Sequence, residues 1–518
     1  MSPGVLISRT LFFAAALLLL ASQGFCQVTP PADDVTVETL KFTRVYSAIQ
    51  QSFVDTVDPD QAIFNGGIRG MLSTLDPFSA FFDREQFELL QEQARGEALG
   101  FGSILYVTPG KVLVLQTTLG SPSWRAGLGP GDEIVEINGT RVAALDFQSL
   151  IELLQHSRSQ PVRLGVIQPG KLIPQDFDLK PAEIALPTVD KAFLLSPGFA
   201  YVHLTGFEMK TAQEVRDTLV RLDASHLKGL LLDLRDNRGG IVDAAVDVAS
   251  LFLPPDVLVL TTRGRSMPQK TYRTSRAAER FDGPLIVLVN GNTASAAELL
   301  AAALQEHDRA VIAGEGTFGK GVVQSVVGLD EETGLALTTA QYFTPSARSI
   351  QRPLPGTALA ITDPGLESSG ISSTKEAGSG FHTDDGRPVS AGGGVTPDVT
   401  IPPRPMDPWL AFLNQAGAFT DFASEYLTLH GKVSEAFEPS SEVLDGFRDY
   451  LSKNQIRVPE DYWVQDQEAL KQRIKTDLFN LVFGLARGDE IETRGDPQVQ
   501  QAAQLFPRLS QILKGPDR

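Results

Sequence analysis

The sequence predicts an α/β core joined to a smaller β-rich module, with helical regions at both ends. Three patterns in the 518 residues carry this reading. Between about 190 and 345, short apolar strands alternate with helix-length stretches, the arrangement of a mostly parallel, buried sheet covered by helices. Between 96 and about 180 the apolar runs are short and separated by Gly and Pro turns. From 35 to 95 and again after 405, apolar residues recur at helical spacing. The length is too great for one core and corresponds to about three or four domains.

The elements follow in order. Arg9 precedes an apolar run from Leu11 to Ala21, then small residues. The run is too short to span a bilayer, so residues 1–26 are expected to be an export signal. That places the protein in the periplasm or on the outer face of the cytoplasmic membrane. Cys26 is the single cysteine, and Phe25 stands before it where a lipobox has a small residue. Without the signal the chain has no cysteine, which excludes a disulfide framework, a thiol nucleophile and a cysteine metal site. Residues 29–34 form a polar linker. Leu40, Val45, Ile49, Phe53, Ile63, Ile68, Met71 and Leu72 mark the helical region 35–95, interrupted by a turn at Asp76-Pro77. Strands are expected at 103–107, 112–116, 133–137 and 162–167, with one helix at about 146–155. In the core, strands at 199–204, 229–235, 284–289 and 310–313 alternate with helices at 211–222, 241–252 and 295–305. Residues 356–394 read as a long Gly- and Ser-rich loop. The region 405–518 is helical, with Asp496-Pro497 as an N-cap followed by a first-turn proline.

Three segments carry chemistry. Ser295 lies between an apolar strand and an alanine-rich helix, where unpaired N–H groups favour developing negative charge. Taken alone, a serine there is a helix cap. The Gly-rich loop 315–321 holds Lys320, and a lysine desolvated beside a serine loses its charge and can accept the serine proton. Gln324 is spaced to hydrogen-bond the amine. The loop is not a Walker phosphate site, since no Ser or Thr follows Gly319-Lys320. At 233–240, N–H groups of Gly239 or Gly240 are candidates for one half of an oxyanion hole, with that of Ala296 as the other half.

Together these segments resemble the carboxyl-terminal processing peptidases, or tail-specific proteases. Thr293-Ala294-Ser295-Ala296-Ala297-Glu298 matches that family's nucleophile motif, and Thr317-Phe318-Gly319-Lys320-Gly321 with Gln324 its lysine loop, at the usual separation. Asp233 to Gly240 matches its glycine turn, except that Arg238 stands where the family has proline. Residues 121–139 resemble a PDZ domain, Leu75-Asp76-Pro77-Phe78-Ser79 the N-terminal helical signature, and Gly394-Val395-Thr396-Pro397-Asp398-Val399 the segment closing the core. The resemblance implies a crotonase/Clp-like mixed sheet with helices at 190–404 and an inserted PDZ domain at 96–180. It implies a Ser295–Lys320 dyad assisted by Gln324, and capture of substrate C-termini by Gly100, Phe101, Gly102 and Ser103. It further implies protein or peptide substrates with free apolar C-termini, an activating adaptor and a homo-oligomer.

Other readings lose. No Gly-x-Ser-x-Gly elbow surrounds Ser295, and the six histidines form no His-Glu-x-x-His pair; His307 reads as a solvated helix end. The Ser-x-x-Lys matches at 225–228 and 372–375 fall in a turn and in the Gly-rich loop. A net charge of −18 argues against nucleic acid as a partner, because its phosphates would be repelled. No metal or other cofactor is expected. An inactive PDZ scaffold on the same fold is the alternative, opposed by the joint presence of Ser295, Lys320 and Gln324.

Overall fold

The computed structural model describes residues 32–88, 97–276, 280–330, 332–354, 380–403 and 407–514. The expected export signal, 1–26, and residues 356–379 of the expected loop 356–394 lie outside them. The chain divides into two compact units. One combines Gly96–Pro187 with Ile401–Gln504; the other combines residues 32–88 with Thr188–Thr400 and the segment from Leu505.

The second unit holds a six-stranded sheet in the order Val189–Ser196, Phe199–Leu204, Gly229–Asp233, Leu285–Val289, Val311–Gly314 and Val399–Thr400. The first pair is antiparallel and every later pair is parallel. Gly229–Asp233 and Leu285–Val289 are buried at every position. This is why they read as continuous apolar runs: a parallel strand has both faces covered. Helix Ala296–Glu306 is likewise buried at every residue, so its alanines allow close packing all round rather than on one stripe. Its last turn carries Glu306, whose carboxylate pairs with the fully buried Arg348 at 2.6 Å.

A second, antiparallel sheet in this unit goes beyond what the sequence predicts. Ala80–Phe82, Gly334–Phe343, Leu258–Arg263 and Lys270–Arg273 lie side by side, and Val322–Gly328 also pairs with Gly334–Phe343. These strands come from distant parts of the chain, so local periodicity does not reveal their pairing. Before them, helix Ala32–Ser52 is followed by a π-helical stretch Asp60–Ile68 and a short helix Arg69–Ser73. Phe64 stacks on Phe81 at 5.1 Å, joining this hairpin to the sheet.

In the first unit, Ser103–Thr108, Lys111–Thr117, Glu133–Ile137, Val162–Ile167 and Gln175–Leu179 form an antiparallel sheet, with helix Phe147–Ser157 beside it. The strand Lys111–Thr117 serves two cores. Val112 and Val114 belong to the sheet's own cluster. Leu113, with Leu115 packed beside it, belongs to a cluster with Trp409, Leu413, Phe419, Phe447 and Leu478 of the C-terminal helices. The two-residue alternation of a strand sends these pairs to opposite faces. Tyr106 donates to the Gly417 carbonyl at 3.2 Å, and Lys111 pairs with Asp421 at 3.0 Å. At Pro497–Ala503 the Asp496 side chain accepts from the N–H groups of Gln498 and Val499, with Pro497 in the first turn.

Candidate active site

Ser295 sits where the buried strand Leu285–Val289 turns into helix Ala296–Glu306. The turn is fastened from within and from the side. Thr293 Oγ1 accepts from the Asn290 N–H at 3.0 Å and donates to the Leu234 carbonyl at 2.7 Å. The Ala294 N–H donates to the Asn237 carbonyl at 2.9 Å. So held, Ser295 adopts φ 56° and ψ −120°, a conformation that non-glycine residues seldom occupy. Such strain persists only where the surroundings over-determine it, and a sharp strand-to-helix turn is one way to present a nucleophile.

Glu298, one helical turn on, is fully buried. Its Oε2 accepts from the N–H groups of Ser295 and Lys320, both at 2.8 Å. Its Oε1 accepts from the Gly319 N–H at 2.7 Å and the Thr317 hydroxyl at 2.5 Å. One carboxylate thus ties the serine turn to the lysine loop. Burial pushes the Glu298 carboxyl up, and the hydrogen bonds from Thr317, Lys320, Gly319 and Ser295 hold it back. Three of the four partners are backbone N–H groups that can only donate; the Thr317 hydroxyl alone could turn to accept. Thr317 is held from behind by Val395, whose N–H donates to Thr317 Oγ1 at 2.7 Å and whose carbonyl accepts the Thr317 N–H at 3.1 Å.

Lys320 is 8% exposed. Burial lowers its pKa from 10.5 to about 8, against the opposing pull of Asp76 and Glu298. Its Nζ donates to Gln324 Oε1 at 2.8 Å and stands 5.0 Å from the centre of the Phe78 ring. Gln324 belongs to the strand Val322–Gly328 and donates through Nε2 to the Phe78 carbonyl. A buried amine whose pKa has fallen to about 8 has the character of a base.

The glycine turn packs directly on the serine. A Cβ on Gly239 would stand 2.8 Å from the Ala294 oxygen, 2.9 Å from Ser295 Cβ and 3.0 Å from the Ala296 nitrogen. The Gly239 N–H, however, donates to Asn237 Oδ1 at 2.9 Å. That narrows the expectation of a donor at Gly239 or Gly240: the side chain of Asn237 satisfies the first. The Gly239 carbonyl and the Ile241 N–H pair with Phe207, bonds that leave the Gly240 N–H uninvolved. At the strand end before the turn, the buried Asp233 takes the Arg235 guanidinium at 2.7 Å and the Tyr201 hydroxyl at 2.8 Å.

The loop 100–103 is built within the other unit. Gly100 ends the strand Glu97–Gly100, which pairs with Ala182–Ala185. Gly102 has φ 74°, and a Cβ there would meet Ser121 Cβ at 2.3 Å. Phe101 is half-buried against the apolar cluster of the β module. The Ser103 hydroxyl bonds that of Ser123 at 2.7 Å. His307 is a correction: its side chain is 14% exposed rather than solvated. It bridges the Asp384 carboxylate and the Leu258 carbonyl, both at 2.7 Å, because the antiparallel sheet reaches the helix end.

Glu298, Asp76 and Phe78 are the site groups that sequence reasoning did not assign a role. For Glu298 a signal existed in the Ser-x-x-Glu spacing of a capping box.

Three family models match the sequence: peptidase family S41 over residues 198–358, PDZ domain over 114–168, and the activating protease CtpB N-terminal domain over 21–86. A carboxy-terminal-processing protease of Bartonella bacilliformis is 31% identical over 354 residues, spanning 67% of this chain and 81% of that protein. A carboxyl-terminal-processing protease of Synechocystis sp. is 36% identical over 291 residues, spanning 55% of this chain and 68% of that protein. Among solved structures, a photosystem II D1 C-terminal processing protease is 26% identical, with a TM-score of 0.38 and coverage of 70% of this chain and 93% of the other.

Proposed function

From the premise that the chain belongs to the carboxyl-terminal processing proteases of peptidase family S41, we propose that it cuts proteins near their C-termini with a Ser295–Lys320 dyad. One observation carries this reading: a single buried carboxylate holds the backbone of Ser295 and of Lys320, whose amine burial has brought to about 8. The neutral amine takes the Ser295 hydroxyl proton as Oγ bonds the scissile carbonyl carbon. The oxyanion is held by the N–H groups of Ala296 and Gly240. Collapse of the tetrahedral centre breaks the peptide bond, the amine leaving group takes the proton from Lys320, and an acyl-serine remains. Water, deprotonated in turn by Lys320, releases it. Gln324 orients the amine throughout.

The PDZ domain selects the substrate. Backbone N–H groups of the loop 100–103 take the terminal carboxylate, and the tail adds as a strand with its apolar side chains in alternate pockets. The reading also includes export through residues 1–26 to the periplasm or outer membrane face, action as a homo-oligomer, and an activating adaptor. An inactive scaffold is disfavoured because it would have no use for a desolvated lysine.

The test is the pH dependence of kcat/KM on a polypeptide ending in an apolar free-acid tail. Activity is expected to rise through about pH 8, as Lys320 loses its proton. A profile that is flat or falls across this range contradicts lysine as the base.

A further inference from the structure

The turn 75–79 lies far from Lys320 in sequence yet forms part of its surroundings. Asp76 is 2% exposed. Its Oδ1 accepts from the N–H groups of Phe78 at 2.7 Å and Ser79 at 2.8 Å, and its Oδ2 accepts from the Ser79 hydroxyl at 2.9 Å. Ser79 Oγ also accepts the Thr338 N–H at 3.2 Å. The next residues, Ala80–Phe82, pair with Gly334, Leu335 and Ala336. One carboxylate and one sheet edge therefore fix where Phe78 stands.

Phe78 offers two groups to the lysine site. Its carbonyl accepts from Gln324 Nε2, and its ring lies 5.0 Å from Lys320 Nζ. A primary amide has one donor end and one acceptor end. With Nε2 committed to a carbonyl, only Oε1 can face the amine, and it accepts from Nζ at 2.8 Å. This matters for a base. An amide that accepts from the amine leaves the nitrogen lone pair free to point elsewhere. An amide flipped the other way would donate to that lone pair and compete with the serine proton for it.

We propose that Asp76 and Phe78 are positioning residues for the general base: the Asp76 turn places the Phe78 carbonyl, which fixes the Gln324 amide and, through it, the Lys320 amine. The proposal rests on Lys320 being the base, and it extends the active site into the N-terminal region of the chain. The charged groups facing Lys320 are Asp76 from this turn and Glu298 from the serine helix; both favour the protonated amine while burial opposes it. Behind the lysine loop, Arg352 donates to the Thr317 carbonyl at 3.1 Å.

The experiment compares the full-length parent with Asp76→Asn, Asp76→Ala and Ser295→Ala, measuring kcat and KM from about pH 6 to pH 10 on an apolar-tailed polypeptide. In Asp76→Asn the amide keeps an oxygen for the two N–H groups and can donate to Ser79 Oγ, so the turn survives while its charge is lost. Its profile is expected to retain most of kcat at high pH, with the acidic limb moved to lower pH, because one of the two charges favouring the protonated amine is gone. Alanine removes the turn itself. It is expected to lower kcat by about 10²- to 10⁴-fold, the usual contribution of a positioned base, with little change in KM. A folded Asp76→Ala with parental kcat overturns the proposal. Should Asp76→Ala fail to fold, Asp76→Asn decides alone: a large loss of kcat at high pH in this variant, which keeps the turn, overturns it. Turnover by Ser295→Ala would instead overturn the dyad reading, which keeps the two failures distinct.

Discussion

Replacing Glu298 by glutamine changes one atom of the side chain and strikes the link between nucleophile and base. Each carboxylate oxygen accepts two hydrogen bonds: from the Ser295 and Lys320 N–H groups on one side, and from Gly319 N–H and the Thr317 hydroxyl on the other. An amide has only one accepting end. If its oxygen faces Ser295 and Lys320, the Thr317 hydroxyl can rotate, but the Gly319 N–H meets another donor and is orphaned at a cost of about 1–3 kcal/mol. If its oxygen faces Gly319, both other N–H groups are orphaned, at about 2–6 kcal/mol. The cheaper orientation governs, so stability should fall by about 1–3 kcal/mol in urea unfolding. The strained Ser295 turn and the lysine loop should shift with it. A displacement of the reacting groups by about 1 Å can lower the rate 10²-fold, so kcat should fall at least about that much. The acidic limb of the remaining activity should move to lower pH, because the Glu298 charge favours protonated Lys320. Parental stability together with parental kcat in Glu298→Gln would refute the tie.

Two further expectations concern the lysine and the tail. Below about pH 8 the folded chain holds a protonated amine that the unfolded chain keeps in water, a difference of about 3 kcal/mol between pKa values of about 8 and 10.5. The handicap is complete below the folded pKa and vanishes above the unfolded one. Urea unfolding should therefore show the stability of Lys320→Met relative to the parent falling by about 3 kcal/mol as pH rises from below 8 to above 10.5; a difference independent of pH would mean that Lys320 is not depressed. Amidating a substrate's C-terminus, or ending it in Asp-Asp, should slow cleavage sharply, and Gly102→Ala, whose Cβ would strike Ser121, should abolish that discrimination. Equal cleavage of amidated and free-acid substrates by the parent would remove the PDZ domain as selector. A point substitution serves better than excising the module, because Leu113 of its sheet is part of the core of the C-terminal helices.

Much of the core was legible because its strands are short, wholly apolar runs between Gly-containing turns, as at Gly229–Asp233 and Leu285–Val289. Ser295, Lys320 and Gln324 stood out because each is polar or charged within a motif that otherwise reads as turn or buried strand. Long-range relations were not legible. The antiparallel sheet joins Ala80–Phe82 to Gly334–Phe343, and nothing in either segment names the other. Glu298 received no role from its motif alone; its part follows once the helix proves covered on all sides, so that its carboxylate must find partners inside. Phe78 acts through its carbonyl and its ring, and the carbonyl is common to every residue. Its part in the site follows from where Asp76 and the sheet place it. The occupation of the Gly239 N–H by the Asn237 side chain is an Asx-turn, a local tendency of asparagine that the motif reading did not apply.

The most direct measurement is a double-mutant cycle on turnover of an apolar-tailed protein substrate, using Ser295→Ala, Lys320→Ala and the double variant, each checked for intact folding. If the two residues act as one unit, each single change lowers kcat/KM by at least about 10⁴-fold and the double variant is no worse than either. Substantial cleavage by folded Ser295→Ala, or losses that simply multiply in the double variant, would contradict a Ser295–Lys320 dyad.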